Sequence, residues 1–491
     1  MNNFKFSIVT AIFNSEEYLR ESIESVINQD IGFEDNVQLI LVDDGSTDKS
    51  KYIAMEYKDK YPNNILVLTK ENGGVATARN LGLKHVSGKY VNFLDSDDKL
   101  SPNTLTIIDE FFKRHPDVKV TSIPLKFFDR IEGDHYLNYK FENEAIIDLD
   151  DKYDYPQMHI PSSFIEFDAM KDYEFNCDLV NGSDSELLTR VLMDLNRYGV
   201  VNSTYYHYRK RQDESSIMDT ANSSKRFFTQ KMKLYYKNII NECIEKKGTV
   251  TPYIQYLIAL DIGGIIKSPY FDEVFDTKEE IDEFWLCLDD LLSYIDKDII
   301  LKHRYYSHDL KMFLICLKNK DFHVEMNPRK HKVWLKSKDA FISRLHNHNI
   351  YLKYVDIEND NLVLFGYFSS NCRKEAIRIT SLFNSGKTYT AQYLEKESEI
   401  KRYLGINWKF KYNFKLEIPL DCDDFKFELI VEFFEDDRYI EMFNDTVLKE
   451  SCNISLRNTN IIDETHYIIF ENNEFHIIKN SLKNKFKLLL Q

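Results

Sequence analysis

The sequence predicts an α/β fold: an N-terminal domain with a mixed, mostly parallel sheet, a helical connector, and a C-terminal antiparallel β-sandwich-like domain. Over the first hundred residues, buried-strand runs alternate with helical patterns, as where a parallel sheet is covered on both faces. Apolar residues then recur at helical spacing between residues 225 and 320, and short alternating strands follow from about Trp334. We therefore divide the 491 residues into domains at 1–224, 225–330 and 331–491.

Four strands are predicted in the first hundred residues, each an apolar run that ends in polar residues. They cover residues 6–14, 37–42, 65–68 and 89–94. Helices fill the intervals: Ser15 is a suitable N-cap for a helix through about Asn28, and Asp48 for the next one. Such strands with helical crossovers form a parallel sheet.

Polar clusters stand at the carboxyl ends of these strands, the edge at which open α/β sheets bind ligands. They are Asn14, Asp43-Asp44, Gly73-Gly74 and Asp95-Ser96-Asp97. Crowded carboxylates repel each other, and a hard cation such as Mn²⁺ or Mg²⁺ relieves that repulsion. Because such an ion commonly bridges to a diphosphate, we expect a nucleotide at this edge. An isolated acidic triplet is more often a solvated turn, so the upstream clusters give this one its meaning.

Four motifs, in this order and spacing, resemble those of family 2 glycosyltransferases, which have the GT-A fold. The motifs are Thr10-Ala11-Ile12-Phe13-Asn14, Val42-Asp43-Asp44-Gly45-Ser46-Thr47-Asp48, Gly73-Gly74-Val75-Ala76-Thr77-Ala78-Arg79-Asn80 and Phe93-Leu94-Asp95-Ser96-Asp97-Asp98. The family usually has Pro where Ala11 stands and Tyr where Phe13 stands, so any hydrogen bond through that hydroxyl is absent here. The match covers about the first 220 residues.

The resemblance implies a UDP-sugar donor bound by these motifs. Asp43 or Asp44 would accept hydrogen bonds from the pyrimidine and the ribose, and Arg79 would pair with Asp44 or face the uracil. The glycines would let the backbone approach the nucleotide. The donor-binding residues expected on this basis are Ala11, Phe13, Asn14, Asp43, Asp44, Gly73, Gly74, Arg79, Asp95, Ser96, Arg209, Arg211 and Ser215.

The resemblance also implies a divalent cation, Mn²⁺ or Mg²⁺, at the acidic triplet. Asp97 would hold the metal against the diphosphate, and Asp95 would contact the ribose or the metal. Asp98 is better suited to a cap or a supporting contact than to metal ligation. His207 could add a metal ligand, although a packed or surface histidine is the more frequent situation.

Residues 182–192 offer the base that an inverting transfer needs to remove a proton from the acceptor hydroxyl. Their apolar residues follow helical spacing, which places Asp184 at a helix N-terminus, where the helix dipole favours a carboxylate. The family commonly shows Gly-Glu-Asp here, and this chain has Gly-Ser-Asp. We assign Asp184 as the base, with Glu186 as the fallback and an ordinary N-cap as the alternative.

Residues 205–216 form an aromatic strand that becomes basic and then Ser-rich, which resembles the family's loop over the donor. Arg209 and Arg211 share a face of an extended strand, and arginine suits bidentate phosphate contact. A solvated basic stretch is the alternative. Residues 157–164 are a candidate acceptor wall, and residues 127–140 a candidate variable acceptor segment.

Composition sets limits on the partners. The net charge of −16 argues against nucleic-acid binding by a general basic surface, and no apolar run is long enough to span a membrane. The N-terminus leads directly into the first strand without a secretory signal, which predicts a cytoplasmic protein. The seven cysteines are scattered singly and indicate isolated thiols rather than a zinc or redox site.

The last two segments carry no cluster that we would assign to catalysis. Helices are expected at residues 225–244, 253–266, 278–295 and 309–317, and strands at 362–368, 376–379, 410–416, 427–434 and 467–470. Transferases of this family that act on wall teichoic acid or capsule similarly append β-domains, so we interpret the β-rich segment as a binding or homo-oligomerisation module. Residues 481–491 are basic and amphipathic: a terminal helix, or a peripheral contact with anionic lipid.

These features together predict a metal-dependent, inverting glycosyltransferase. It would move a sugar from a UDP-sugar to a bacterial surface polymer, either a polysaccharide or a polyol-phosphate such as teichoic acid. Two other classes stay open: a non-catalytic glycan-binding scaffold on the same domain, and another nucleotide-dependent transferase. The first strand lacks the Gly-rich basic loop of nucleotidyltransferases, and intact Asp97 and Asp184 argue against a scaffold.

Overall fold

Contacts divide the chain into two units in a computed structural model. The first contains Met1–Ile265 and Tyr270–Tyr305, and the second contains Ile266–Pro269 and Tyr306–Gln491. The structure describes residues 4–179, 181–212, 224–321, 325–329, 332–337, 340–344, 349–370, 377–383, 385–394, 401–420, 424–435, 438–442, 446–448, 452, 459–461 and 466–479. The boundaries predicted at residues 224 and 330 stay predictions. In the structure the helices up to residue 305 belong to the first unit.

The first unit is built on two sheets. Its strands are β1 (Phe6–Ile12), β2 (Val37–Asp43), β3 (Ile65–Thr69), β4 (Tyr90–Phe93), β5 (Lys99–Leu100), β6 (Val120–Ser122), β7 (Leu125–Asp129), β8 (Gly133–Asp134), β9 (Ala145–Asp148), β10 (Ser163–Glu166), β11 (Arg197–Val200) and β12 (Tyr206–Lys210). Eight of them form the main sheet in the order β3-β2-β1-β4-β10-β6-β11-β9, and β5-β12-β7-β8 form a smaller one. The first four strands of the main sheet run parallel, and β10 is antiparallel to both of its neighbours.

Helices cover the main sheet and then continue as a helical block. They are α1 (Leu19–Ile27), α2 (Phe33–Asn36), α3 (Ser50–Lys60), α4 (Val75–Leu83), α5 (Thr104–Arg114), α6 (Ser183–Leu195), α7 (Lys225–Gln230), α8 (Lys237–Lys247), α9 (Pro252–Lys267), α10 (Phe271–Val274), α11 (Lys278–Ser293), α12 (Lys297–Lys302) and α13 (His308–Asn319). A π-helical turn, Lys231–Tyr236, joins α7 to α8. The first helix starts at Leu19, so the prediction that Ser15 caps it is wrong. Ser15 instead hydrogen-bonds through its side chain to Phe13 O and to the Ser96 hydroxyl.

The core of the main sheet follows from its sequence. The buried apolar residues of β1 and β2 pack against α1 and α3 on one face, as the continuous apolar runs predict. On the other face, α4 approaches the sheet at Gly82, where a Cβ would lie 2.5 Å from Val9 Cγ1. A residue with a side chain at position 82 would push the helix off β1, and with it the loop that α4 follows.

The second unit consists of α13 and sheets that are almost entirely antiparallel. Its strands are β13 (Glu325–Arg329), β14 (Lys332–Ser337), β15 (Ala340–Arg344), β16 (Ile350–Glu358), β17 (Asn361–Ser370), β18 (Ile377–Phe383), β19 (Thr388–Thr390), β20 (Gln392–Tyr393), β21 (Lys401–Tyr403), β22 (Ile406–Pro419), β23 (Asp424–Glu435), β24 (Arg438–Met442), β25 (Thr446–Leu448), β26 (Thr459–Ile461), β27 (His466–Glu471) and β28 (Glu474–Lys479). The exception is the parallel pair of β16 and β25. The predicted fold class, an α/β domain followed by helices and an antiparallel β-rich domain, is confirmed.

Three further predictions concern the cysteines, the C-terminal segment and membrane-spanning helices. The five cysteines that the structure describes are free thiols, and Cys372 and Cys422 lie outside the described residues. The amphipathic segment 481–491 lies outside them as well. Among the described helices, none combines the length and the apolar character needed to cross a bilayer.

Candidate active site

Parallel register brings the predicted clusters to one edge of the main sheet. Ile12 at the end of β1 lies beside Asp43 at the end of β2, and Asp43 lies beside Thr69 at the end of β3. Ala11 is half-buried in β1, whereas 48% of the Phe13 surface is exposed beyond its end. Asn14 adopts a left-handed conformation (φ 47°), and its Oδ1 accepts from Thr47 N at 2.8 Å, which ties the loop after β1 to the loop after β2.

Asp44 is the anchor of the glycine loop. Its Oδ1 accepts from Gly73 N at 3.0 Å, and its Oδ2 accepts from Gly74 N at 2.8 Å. Lys70 Nζ lies 2.6 Å from the same carboxylate. Gly74 caps α4 at φ 87°, a conformation that disfavours side chains. The buried Asp44 carboxylate therefore holds the loop in place. No sequence pattern singled out Lys70 as a partner of this carboxylate.

Arg79 pairs with Asp95, not with Asp44 as one of our two alternatives had it. Its NH2 group lies 2.6 Å from Asp95 Oδ1, and its side chain is almost fully buried, over the ring of Phe175. Burial raises the pKa of Asp95, Arg79 opposes that rise, and the negative charges of Asp97 and Asp184 add to it. Asp95 thus lies in a pocket where carboxylates are crowded and one arginine compensates them.

The rest of the acidic turn is held from two sides. The Ser96 hydroxyl lies 2.7 Å from that of Ser15, and Asp97 Oδ2 accepts from Arg211 Nε at 2.7 Å. Asp98 is buried and accepts from the Tyr206 hydroxyl at 2.7 Å. Burial raises the pKa of Asp98 well above its usual range, and the charges of Asp97 and Asp95 raise it further.

The two predicted phosphate-binding arginines have different surroundings. Arg209 lies between the rings of Tyr18 and Phe128, at 4.8 and 4.4 Å, with only 9% of its side chain exposed. It donates to the backbone oxygen of Asp97 at 2.8 Å and also pairs with Asp129 and Glu21. Arg211, by contrast, contacts the Asp97 carboxylate itself.

Two further predictions in this segment concern His207 and Ser215. His207 hydrogen-bonds through Nε2 to the Ser101 hydroxyl at 2.9 Å, on the side of β5, so the structure supports the packed histidine rather than a metal ligand. Ser215 lies outside the described residues.

Asp184 occupies the first turn of α6, directly after Gly182, which adopts φ 89°. Its charge raises the pKa of Asp95 and, together with the triplet carboxylates, that of Tyr208. Asp184 therefore acts on the same group of side chains as Asp97. Glu186, the fallback base, is buried, and its nearest cation is Arg190 at 3.9 Å.

His159, within the predicted acceptor wall, is a site residue that the sequence did not single out. Its Nδ1 accepts from Ser162 N at 3.1 Å, and its ring contacts the rings of Tyr206 and Tyr208 at 5.2 and 5.9 Å. Burial lowers the pKa of His159 well below its usual range. A neutral imidazole thus borders the carboxylate pocket. No local sequence signal marks this, because both tyrosines belong to β12, about 45 residues further along the chain.

Comparison with known proteins agrees with this geometry. The family model described as "Glycosyl transferase family 2" matches residues 7–171. The minor teichoic acid biosynthesis proteins GgaB and GgaA of Bacillus subtilis (strain 168) are both 30% identical to the chain. The GgaB match covers 99% of this chain and 54% of GgaB, and the GgaA match covers 85% of this chain and 95% of GgaA. The chain thus spans about half the length of GgaB.

Solved structures share the fold. The crystal structure of S. aureus TarS has a TM-score of 0.52 at 16% identity and covers 98% of this chain and 86% of TarS. TarS 1-349 in complex with UDP-GlcNAc has a TM-score of 0.52 at 21% identity and covers 69% of this chain and 98% of that fragment. The matched family model and the relatives that span this chain define its class as a glycosyltransferase. The chain belongs to glycosyl transferase family 2.

Proposed function

We propose that the chain transfers a sugar, with inversion, from a UDP-sugar to a hydroxyl of a teichoic-acid-type polymer. One observation carries the proposal: the acidic turn, whose Asp95 pairs with Arg79, lies at the same edge of the parallel strands as the glycine loop that Asp44 anchors. The names of GgaB and GgaA support the polymer class, and the complex of TarS with UDP-GlcNAc supports the donor class.

Asp184 is the proposed base. A single base suffices for an inverting transfer, because the nucleoside diphosphate leaves from the face opposite to the acceptor. Asp184 would take the proton of the acceptor hydroxyl and hold it on its carboxylate. It stands in the first turn of α6, on a different element from the acidic turn. Glu186, which is buried beside Arg190, is less suited to reach an acceptor.

The donor side is proposed to use the residues at the ends of the parallel strands. The Asp44-anchored loop would present the backbone of Gly73 and Gly74 to the nucleotide. The exposed ring of Phe13 offers an aromatic surface next to it. Arg211, which contacts the acidic turn through Asp97, would meet the diphosphate.

Asp97, with Asp95, would hold the divalent cation, Mn²⁺ or Mg²⁺. The donor set fits such an ion, because both groups are carboxylates and burial, with the charge of Asp97, raises the pKa of Asp95 in a way that a cation would counter. No group of three or more His, Cys, Asp or Glu side chains is arranged as a metal site among the described residues, so diphosphate oxygens would complete the ligand set. When bound, the ion stabilises the negative charge of the leaving diphosphate.

Hydrolysis and transfer assays test the proposal. The wild-type chain with Mn²⁺ is expected to release UDP from UDP-GlcNAc or a related UDP-sugar. Asp184→Asn should lower transfer to acceptor by about 100-fold or more, because it removes the proton acceptor. Asp97→Ala should abolish the Mn²⁺-dependent release of UDP, because it removes a proposed ligand of the ion. The control is Asp172→Asn, a change at an exposed aspartate of the same unit, which should leave both rates unchanged.

Two results would contradict the proposal. Full transfer by Asp184→Asn would remove the base assignment. The absence of UDP release from every UDP-sugar in a panel, with a folded protein, would favour a non-catalytic glycan-binding scaffold instead.

A further inference from the structure

Four tyrosines from three distant stretches form one aromatic cluster in the first unit, which we call the tyrosine patch: Tyr136, Tyr139, Tyr155 and Tyr305. The ring centroids of Tyr136 and Tyr305 are 5.0 Å apart, those of Tyr139 and Tyr305 are 5.9 Å apart, and those of Tyr139 and Tyr155 are 5.3 Å apart. Tyr136 is the most open, with 57% of its surface exposed, and the other three are half-buried. One exposed ring backed by three half-buried ones gives the surface an apolar face that a ligand can pack on.

Two cations lie against the patch. Arg304 Cζ is 4.2 Å from the centroid of the Tyr139 ring, and Lys152 Nζ is 5.2 Å from that of Tyr155. Both residues are exposed, and Arg304 also pairs with Asp154 at 3.0 Å. In a chain with a net charge of −16, Arg304 and Lys152 concentrate positive charge on these rings, and a bound anion would compete with Asp154 for Arg304.

An aromatic path joins the patch to the carboxylate pocket. The His135 ring lies 4.4 Å from Tyr136 and 5.6 Å from Phe127, and the Phe127 ring lies 5.8 Å from Tyr208. Burial raises the pKa of Tyr208, and the charges of the acidic triplet and of Asp184 raise it further. The path therefore ends at the side chains proposed for catalysis.

The ion pair of Lys231 and Asp261 lies next to the N-terminus of α6. Lys231 Nζ lies 3.1 Å from Asp261, and a Cβ placed on Gly182 would lie 2.9 Å from Lys231 Cε. Burial raises the pKa of Tyr136 to about 12, and the charge of Asp261 contributes to the rise. The proposed base, Asp184, stands in the first turn of α6.

We propose that the tyrosine patch, with Arg304 and Lys152, binds repeat units of a phosphate-bearing polyol or sugar polymer that extends from the acceptor hydroxyl. The aromatic faces would pack on C–H groups of the repeat units, and the two cations would pair with their phosphates. The inference rests on the proposed function, because it names the part of the acceptor that this site would hold.

Binding by the full chain tests the site without requiring turnover. The probes are long chains of poly(ribitol phosphate) and of poly(glycerol phosphate), their monomeric units, and inorganic polyphosphate. The wild type should bind at least one long polymer more tightly than its monomer. Tyr136→Ala should weaken that binding about tenfold and leave polyphosphate binding unchanged, because polyphosphate has no carbon to pack on the ring. Arg304→Gln should weaken all three polymers.

Tyr52→Ala is the matched control, since Tyr52 is 76% exposed on α3. Tyr136→Ala keeps the hydrogen bond from the Tyr305 hydroxyl, because the acceptor is the backbone oxygen of residue 136. The site is refuted if no long polymer binds better than its monomer, or if Tyr136→Ala binds like Tyr52→Ala. Intact UDP-sugar turnover alongside that result would leave the proposed function standing. Polymer binding without any turnover would instead refute the proposed function and leave the site.

Discussion

At the scale of single residues, Lys140 shows how strongly burial can change a side chain. Lys140 is 5% exposed, and its Nζ donates to the Pro156 backbone oxygen and to Gln157 Oε1. Burial lowers the pKa of Lys140 to about 7. Lys140 ends the segment that we proposed as a variable acceptor segment. Its burial could not be predicted, because lysines are rarely buried and nothing in the local sequence marks the exception.

The pKa of Lys140 predicts a pH dependence of stability. Between pH 7 and about 10 the unfolded chain holds a proton on this lysine that the folded chain lacks, so the free energy of unfolding falls as the pH is lowered through that range. Relative to Lys140→Met, the wild type should lose about 1.4 kcal/mol per pH unit between pH 9 and 8. Urea denaturation at several pH values measures this difference.

Lys126→Met serves as the control, since Lys126 is exposed in the adjacent strand β7. Its difference from the wild type should not change with pH. A Lys140→Met difference that is equally flat would show that Lys140 is protonated in the folded protein.

At the scale of elements, strand β12 holds the acidic turn in position. Arg209 N donates to Asp98 Oδ1 at 2.7 Å, and Arg209 Nε donates to the Asp97 backbone oxygen. Tyr206 adds its hydroxyl to Asp98. Arg209 is thus a positioning residue that holds the turn through its backbone and through Asp98. Arg211 instead contacts the Asp97 carboxylate, which faces the donor site in our proposal.

Substitution of the two arginines should separate these roles. Arg209→Gln should destabilise the first unit by about 1–3 kcal/mol, because it breaks a buried charged network. Arg211→Gln should leave the melting temperature nearly unchanged and raise the KM for the UDP-sugar about tenfold. Thermal unfolding and steady-state kinetics on both variants test this difference in roles. Similar losses of stability in the two variants would contradict it.

The same elements show what the sequence could predict. The strands β1 to β4 and their polar ends were predictable, because continuous apolar runs and turn residues are local signals. Strand β10 was not: Ser163–Glu166 is four residues long, and its position between β4 and β6 depends on partners far along the chain. The Arg79–Asp95 pair was missed for a similar reason, since two carboxylate clusters were available and only the packing of α4 selects one.

At the scale of the whole molecule, α13 belongs to the second unit. Trp408 Nε1 donates to the Asp309 backbone oxygen at 3.0 Å, and the Phe313 ring lies 5.1 Å from the rings of both Tyr403 and Trp408. We grouped residues 309–317 with the connector on helical periodicity alone, and periodicity carries no information about these contacts. Sequence patterns predict that a helix forms there, but not which unit buries its apolar side.

Truncation tests this assignment. A fragment ending at residue 305 should fold and be stabilised by UDP, by roughly 2.7 kcal/mol at a hundred times the dissociation constant. A fragment ending at residue 320 should be less soluble, because α13 would expose apolar residues that the second unit covers. Thermal shift and size-exclusion chromatography compare the two. Equal solubility, with α13 ordered in the longer fragment, would contradict the assignment.

The hydrogen bond between Arg209 N and Asp98 spans 111 residues of chain. The ribosome synthesises Asp95, Asp97 and Asp98 well before strand β12, which holds them in position. A nascent chain therefore contains the acidic turn before it contains the strand that fixes it. Closing so long a loop carries an entropic cost that local pairings do not. Nucleotide-sugar affinity should consequently emerge as a single event once β12 (Tyr206–Lys210) has left the exit tunnel, about midway through the synthesis of these 491 residues.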